Sequence, residues 1–257
     1  MNTSNSDRDD DPADIVFHEL TPASLDIALL TRFYEELYLQ EFSDPDERES
    51  LANMIHYLEL KAQGWYGHNN YHIVLLICAG QPVGCSVSDY LATANAGVIE
   101  FLMVAPTVRR QGWGGRLLHW TETTLAVDAD SRSAQNLHCI VAEMHDPRCA
   151  DTQHAGLDPL TRARIWNAWG YRKLAFDYVQ PALSATQHPA RHLMLLAKIT
   201  DGESRRASLS AYQVRAILRE YLYWAMRIET PEQVPEYQEM QAQLDERAYV
   251  DLIPLDD

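Results

Sequence analysis

The sequence predicts an α/β chain of the α+β type, with helices interleaved among hairpin-joined strands. Three observations predict it. Apolar runs of strand length recur as "YHIVLLICA", "VIEFLMVAP" and "HLMLLAKI", the pattern of buried strands. Between them lie segments with apolar residues three and four apart, the spacing of an amphipathic helix. Turn-forming "GQPVG" and "TANAG" join consecutive strands.

Taken in order, "IVFHEL" (15–20) reads as a short strand. "TPASLDIALLTRFYEELYLQEF" reads as a helix capped at Thr21 or Ser24, turning Leu25, Ala28, Leu29, Phe33, Leu37 and Leu39 to the core. "DPDERESLANMIHYLELKAQG" is a second helix, acidic in its first turn and stopped by Gly64. "YHIVLLICA" (71–79) and "CSVSDYLA" pair across "GQPVG", and "VIEFLMVAP" (98–106) follows as an apolar strand with one carboxylate, Glu100. A Gly-rich stretch then opens a helix running to about Ala126. "LHCIVAEMH" (137–145) is a strand, "DPLTRARIWNAWGY" a helix ended by Gly170, and "HLMLLAKI" (192–199) the strand that closes the core.

Beyond Ser204 the spacing of Val214, Ile217, Leu218, Tyr221, Trp224, Ala225 and Ile228 is helical, and "TPEQVPEYQEMQAQLDERAYV" predicts a second, more polar helix. The expected organisation is a disordered acidic tail over 1–14, one domain over 15–200, and a helical extension over 204–257. The aromatic stripe of that extension suits packing on the core or at a homodimer interface.

With 257 residues, 46% of them hydrophobic, the chain can bury a sizeable core. No apolar run approaches the roughly 20 residues that span a bilayer, so no membrane partner is expected. The first residues, "MNTSNSDRDDDPAD", are acidic and polar, unlike a signal peptide. The four cysteines show no paired metal spacing, and Cys78 and Cys139 lie in strand-like apolar runs. A reducing cytoplasm is the default compartment. A net charge of −16 argues against nucleic acid, which needs a basic surface, and fits a cationic small molecule or basic peptide.

The stretch "VRRQGWGGRLLHW" (108–120) places glycines and arginines at a helix start. A helix begins with unsatisfied backbone N–H groups and partial positive charge, and glycine lets a ligand approach them closely. Gly112, Gly114 and Gly115, with Arg109 or Arg110, therefore suit a phosphate or pyrophosphate. Neither a Lys-Ser/Thr phosphate loop nor the dinucleotide fingerprint fits this spacing. The alternative is a loop whose glycines serve sterics alone.

"VIEFLMVAPTVRRQGWGGRLL" resembles the acyl-CoA-binding segment of the GNAT (Gcn5-related) N-acetyltransferases. Arg109, Gly112 and Gly114 fall on that family's Gln/Arg-x-x-Gly-x-Gly/Ala pattern, with Leu102, Val104 and Pro106 in register upstream. "RIWNAWGYRKLAF" is similar to a second family feature, an aromatic-bearing helix ending in Gly-aromatic. The resemblance extends over most of 15–199. It implies a GNAT fold, a mixed and mostly antiparallel twisted sheet flanked by helices, in which the fourth and fifth strands splay apart to admit acetyl-CoA. It implies acetyl transfer to a primary amine of a small molecule or peptide, with no metal. Arg109, Arg110, Gln111, Gly112, Trp113, Gly114 and Gly115 would surround the pyrophosphate, and a backbone N–H of Met103 or Val104 would polarise the thioester carbonyl. Trp113 is expected only to pack.

An alkylammonium must lose a proton before it attacks, which costs roughly 4 to 5 kcal/mol at neutral pH. Glu100, the one charged residue of its strand, is the candidate base, because desolvation raises a buried carboxyl. Some family members also place a Glu there. The alternative is a structural ion pair. The family's acid is often a Tyr four residues before the Gly of the Gly-aromatic pair; here that position is Trp166, which cannot protonate a thiolate. Tyr178 is the candidate acid in its stead, with core packing the competing reading for both it and Tyr171. Asp158 stands where many relatives have an asparagine. In "HDPRCADTQHAGLD" (145–158), His145, Asp146, Cys149 and His154 match no common metal spacing. That loop reads as plain surface or else as acceptor-binding, and the resemblance implies that "GWYGHNN" can wall the acceptor pocket. A CoA-binding module without activity, and transfer of a longer acyl group to a peptide, are the alternative functions.

Overall fold

A computed structural model describes residues 15–42, 44–149, 157–201 and 207–255. The expected acidic tail (1–14) and His154 lie outside the described residues. Among the described residues, nine strands form one sheet in the order β1-β2-β3-β4-β5-β7-β6-β9-β8. These are β1 (Ile15–Leu20), β2 (Asn70–Cys78), β3 (Gln81–Leu91), β4 (Ala96–Val104), β5 (Cys139–His145), β6 (Arg172–Leu174), β7 (Leu193–Ile199), β8 (Ser208–Ser210) and β9 (Tyr249–Ile253). Only β4 and β5 run parallel; the other paired neighbours are antiparallel.

The first helical segment starts one turn later than expected. Asp26, rather than Thr21 or Ser24, accepts the Leu29 N–H and caps α1 (Ile27–Phe33). The segment continues through a π-turn, Tyr34–Tyr38, into α2 (Leu39–Glu41). Leu30 and Phe33 are buried while Ala28 is exposed, and the extra residue of the π-turn then puts Tyr38 rather than Leu37 on the buried face. The second predicted helix divides into a 3-10 turn at Pro45–Glu47 and α3 (Leu51–Ala62), capped by Ser50. Glu47 ends that turn, and Glu49 lies in the non-helical chain between it and α3.

One face of the sheet is covered by α4 (Trp113–Ser133) and α5 (Pro159–Ala168), which pack on Ile99, Ile140 and Ala142. Asp158 caps α5 by accepting the Thr161 N–H. The other face is tiled by two apolar clusters. One sets α1–α3 against Ile73, Val87, Phe101 and Met103. The other sets α6 (Ala211–Glu220) and α7 (Pro235–Asp245) against Val98, Val141, Leu195 and Ala197.

The final segment is not purely helical. It returns β8 and β9 to the sheet, with β9 pairing with β6, and its stripe Val214, Ile217, Leu218 and Tyr221 is buried on the sheet of its own chain. Strands of three and five residues lack the length for a periodic signal, so the sequence pattern misses them. A chain ending at Asp201 would expose this apolar face, and we expect it to aggregate or to elute as a broad oligomer on size exclusion.

Away from the cavity, a buried polar network ties β1, β2 and α4 together. His72 bridges Glu19 and Asp128 at 2.7 Å each, and Arg132 and Asn70 complete the shell of Asp128. Burial alone would lower His72 and raise both acids. The hydrogen bonds outweigh it, leaving His72 above its ordinary value and Glu19 and Asp128 below theirs. The stabilisation by His72 is full below 6.5 and lost as pH rises through its raised value; that of the acids is full above 4.5 and lost as pH falls. Asp128→Asn is expected to cost about 3 kcal/mol, most clearly near pH 6, in urea unfolding.

Candidate active site

The ladder between β4 and β5 stops at Ile99↔Ala142. The next residue on each strand is a glutamate, Glu100 on β4 and Glu143 on β5. Sharing one register position in parallel strands, they project to the same face, side by side where the strands part. On the β3 side, Val87 pairs with Phe101 and Ser88 with Ile99, so Glu100 is the unpaired residue of a bulge. Bulges re-aim side chains, and this one directs Glu100 and Phe101 to the same face of the sheet.

The parted strands open a cavity of about 840 Å³. One wall carries the start of α4, with Arg110, Gly112, Gly114 and Gly115; another carries Glu47 and Glu49; Glu100 and Glu143 line the throat between them. The π-turn Tyr34–Tyr38 and a second one after α6, Tyr221–Ala225, contribute Tyr38 and Tyr221 to the lining.

At the helix start Gly112 is the cap, with φ 82°, and its neighbour Arg110 also has a positive φ of 64°. The first-turn N–H groups of Trp113, Gly114 and Gly115 have no acceptor within the helix. Gln111 sits exposed beside them, its amide donating weakly to Thr107 O at 3.4 Å. Trp113 packs into a small apolar cluster with Arg116 over its ring at 4.3 Å.

A Cβ on Gly114 or Gly115 would lie 3.5 Å from the indole of Trp169 in each case, which is ordinary contact. Arg109 does not stand free for a phosphate: its Nε donates to Val104 O and its guanidinium pairs with Glu41. Arg110 is left as the exposed cation of the loop.

Ala105 donates its N–H to Val83 O on β3. Backbone groups alternate along a strand, so the Val104 N–H, and not that of Met103, faces the gap toward β5.

Asp89, on β3, is 1% exposed, and no donor reaches either of its oxygens. The group within hydrogen-bonding reach is the carboxyl of Glu100. Two carboxyls in contact without a cation between them hold one proton. Burial, then the charge of Asp89, pushes Glu100 well above the ordinary carboxyl range.

Glu143 has other neighbours. Tyr178 donates to its Oε1, and Tyr221 lies beside it. Burial pushes Glu143 up to about 7, with those hydroxyls pulling the other way. Tyr178, the candidate acid, is therefore a buried partner of Glu143 and does not line the cavity. Trp166 and Tyr171 stack edge-on in the core at 4.7 Å.

Glu47 receives hydrogen bonds from His145 (2.8 Å) and His192. Burial raises Glu47, but these bonds outweigh it and hold the carboxyl below its ordinary value. Arg162 donates to His145 Nδ1 at 3.1 Å. An arginine only donates, so His145 carries its proton on Nε2 and clamps Glu47 by hydrogen bonding. The three side chains bring ligand-type atoms within 4.8 Å of one another; in this tautomer the His145 lone pair points to Arg162 instead. Asp146 binds Arg148 and Lys173 and takes no part.

The "GWYGHNN" loop is not a cavity wall. Trp65 and Tyr66 hold the Arg227 guanidinium at 4.6 and 5.0 Å from their rings, with Tyr57 at 4.2 Å. Cys78, Cys85 and Cys139 are free thiols, and no described helix is long and apolar enough to cross a membrane.

Glu143, Asp89, Glu47 and Trp169 were not singled out by sequence. Glu143 had a usable signal, as the one carboxylate inside the apolar strand "CIVAEMH".

A sheet parted between two parallel strands, with a helix N-terminus at one mouth and carboxyls at the throat, can hold an anionic group beside a proton acceptor. Residues 31–142 match the family model described as Acetyltransferase (GNAT) family. Among solved structures, a Bacteroides thetaiotaomicron protein assigned to the GNAT acetyltransferases superposes with TM-score 0.58 at 18% identity, over 83% of this chain and 99% of that one. The PaiA N-acetyltransferase of Thermoplasma acidophilum, in complex with coenzyme A, gives 0.48 at 11% identity over 72% and 99%. The ribosomal-protein-S18-alanine N-acetyltransferase of Escherichia coli gives 0.45 at 12% over 73% and 94%. At these identities the likeness is one of fold. No curated protein matches the chain.

Proposed function

We propose that the protein transfers acetyl from acetyl-CoA to a primary amine of a small molecule or peptide. The observation that carries this is the pair Glu100 and Glu143 at the first open register of β4 and β5, inside a cavity that reaches the N-terminus of α4. The first-turn N–H groups and Arg110 suit the pyrophosphate, and the Val104 N–H suits the thioester carbonyl. Bound there, acetyl-CoA supplies the activated acyl group. The throat carboxyls supply the proton acceptor that an ammonium requires.

Glu47, Glu49, Glu100 and Glu143 line one continuous space, which favours a cationic acceptor over a neutral or anionic one. The free thiols of Cys78, Cys85 and Cys139 support a reducing, cytoplasmic setting.

Release of free CoA from acetyl-CoA, measured with putrescine, glucosamine and a lysine-bearing tripeptide, tests the proposal. Turnover is expected with at least one amine at neutral pH. CoA binding without turnover on a broad amine panel would leave only a CoA-binding module, the reading Trp166 first suggests. Turnover with longer acyl-CoAs alone would move the donor class.

A further inference from the structure

Glu100 and Glu143 occupy one register position, yet their surroundings are opposite. Glu100 touches a second carboxyl, Asp89, which is sealed in the sheet with no other donor. Glu49 and Arg227 are its next charged neighbours, and the charge of Glu100 raises the phenols of Tyr38, Tyr57, Tyr66, Tyr71 and Tyr221. Glu143 touches no carboxyl. It accepts from Tyr178, with Tyr221 beside it and Glu47 the nearest charge.

We infer that the two glutamates divide the proton work: Glu143 removes the ammonium proton, and Glu100, kept protonated by contact with Asp89, protonates the departing thiolate. This rests on the N-acetyltransferase reading and supplies the acid that Trp166 cannot be. Asp89 is a positioning residue, acting only through Glu100. The midpoint of Glu143 near 7 suits a base at neutral pH.

The step balances. The Glu143 carboxylate takes one proton from the ammonium, and the freed nitrogen pair forms the C–N bond at the thioester carbonyl. The C–S bond breaks with its electrons on sulfur, which takes the proton of Glu100. Glu100 regains a proton from the nitrogen as the amide forms. One amide, one thiol and one proton, held on Glu143, result from each ammonium and thioester.

Two measurements on the full chain test this. Infrared spectra of the ligand-free protein should show a protonated carboxyl band at pH 7 that is lost in Glu100→Gln, titrates away at lower pH in Asp89→Asn than in wild type, and is kept in Glu143→Gln. Titration should reveal a second carboxyl with a midpoint near 7, absent from Glu143→Gln. With acetyl-CoA and the best amine of the panel, Glu143→Gln should lower turnover about 100-fold and remove the acid limb of the pH profile. Asp89→Asn should lower it about 10-fold at pH 7 and move the alkaline limb to lower pH, while CoA still protects the variant thermally. A wild-type protein without the protonated band, or a Glu143→Gln variant with an unchanged profile, overturns the inference. If no amine is acetylated, the transferase reading fails, and the infrared pattern alone then decides how the protons are held.

Discussion

Gly114→Glu is expected to abolish CoA binding. A Cβ at this position lies 3.5 and 3.7 Å from the Trp169 ring and 4.0 Å from Val104 Cγ2, which is ordinary contact. Gly114→Ala should therefore fold and bind. A glutamate must extend past the indole into the mouth of the cavity, placing a negative charge at the N–H groups proposed for the pyrophosphate. Loss of charge-assisted hydrogen bonds worth about 1.5–3 kcal/mol each corresponds to a loss in affinity of about 100-fold or more. The check is thermal protection by CoA, present in wild type and Gly114→Ala and absent in Gly114→Glu. Undiminished protection of the glutamate variant would remove the start of α4 from the binding site.

Glu143→Gln is expected to stabilise the protein at pH 8 while it disables turnover. Burial raises Glu143 from 4.5 to about 7, so the folded state holds its proton more tightly than the unfolded chain. The native carboxylate therefore costs stability that is absent at pH 4 and fully present above pH 7, at about 1.36 kcal/mol per pH unit between the two values, on the order of 3 kcal/mol in all. Glutamine is neutral at every pH and can still accept from Tyr178. Unfolding in urea at pH 5 and pH 8 should show the variant gaining on wild type as pH rises. An equal difference at both pH values would mean that Glu143 is not held in a desolvated state. Stability withheld at a reactive carboxyl is a usual accompaniment of function.

The residues legible in advance were those whose signal is local. Gly112 announces itself because a helix start in a left-handed conformation needs glycine, and the apolar runs of β2, β4, β5 and β7 announce buried strands. Glu100 was legible as a carboxylate in such a run. Its role was not, because that depends on Asp89, which approaches it only when β3 pairs with β4 through a bulge. Arg109 was legible as a cation at the loop, but the pairing with Glu41 that occupies it spans 68 residues. Glu47 looked like helix-start chemistry until His145 and His192 closed on it from β5 and the chain before β7.

By itself the sequence determined the alternation of strands and helices, the Gly-rich helix start and the acidic character of the chain, because periodicity, φ preference and charge are properties of short stretches. Tertiary structure alone decided that the tail returns two strands to the sheet, that Trp169 lies over Gly114 and Gly115, and that Glu100 and Glu143 meet at one register position with opposite neighbours. Register between strands 43 positions apart, and the desolvation that follows from it, exist only once the sheet has closed.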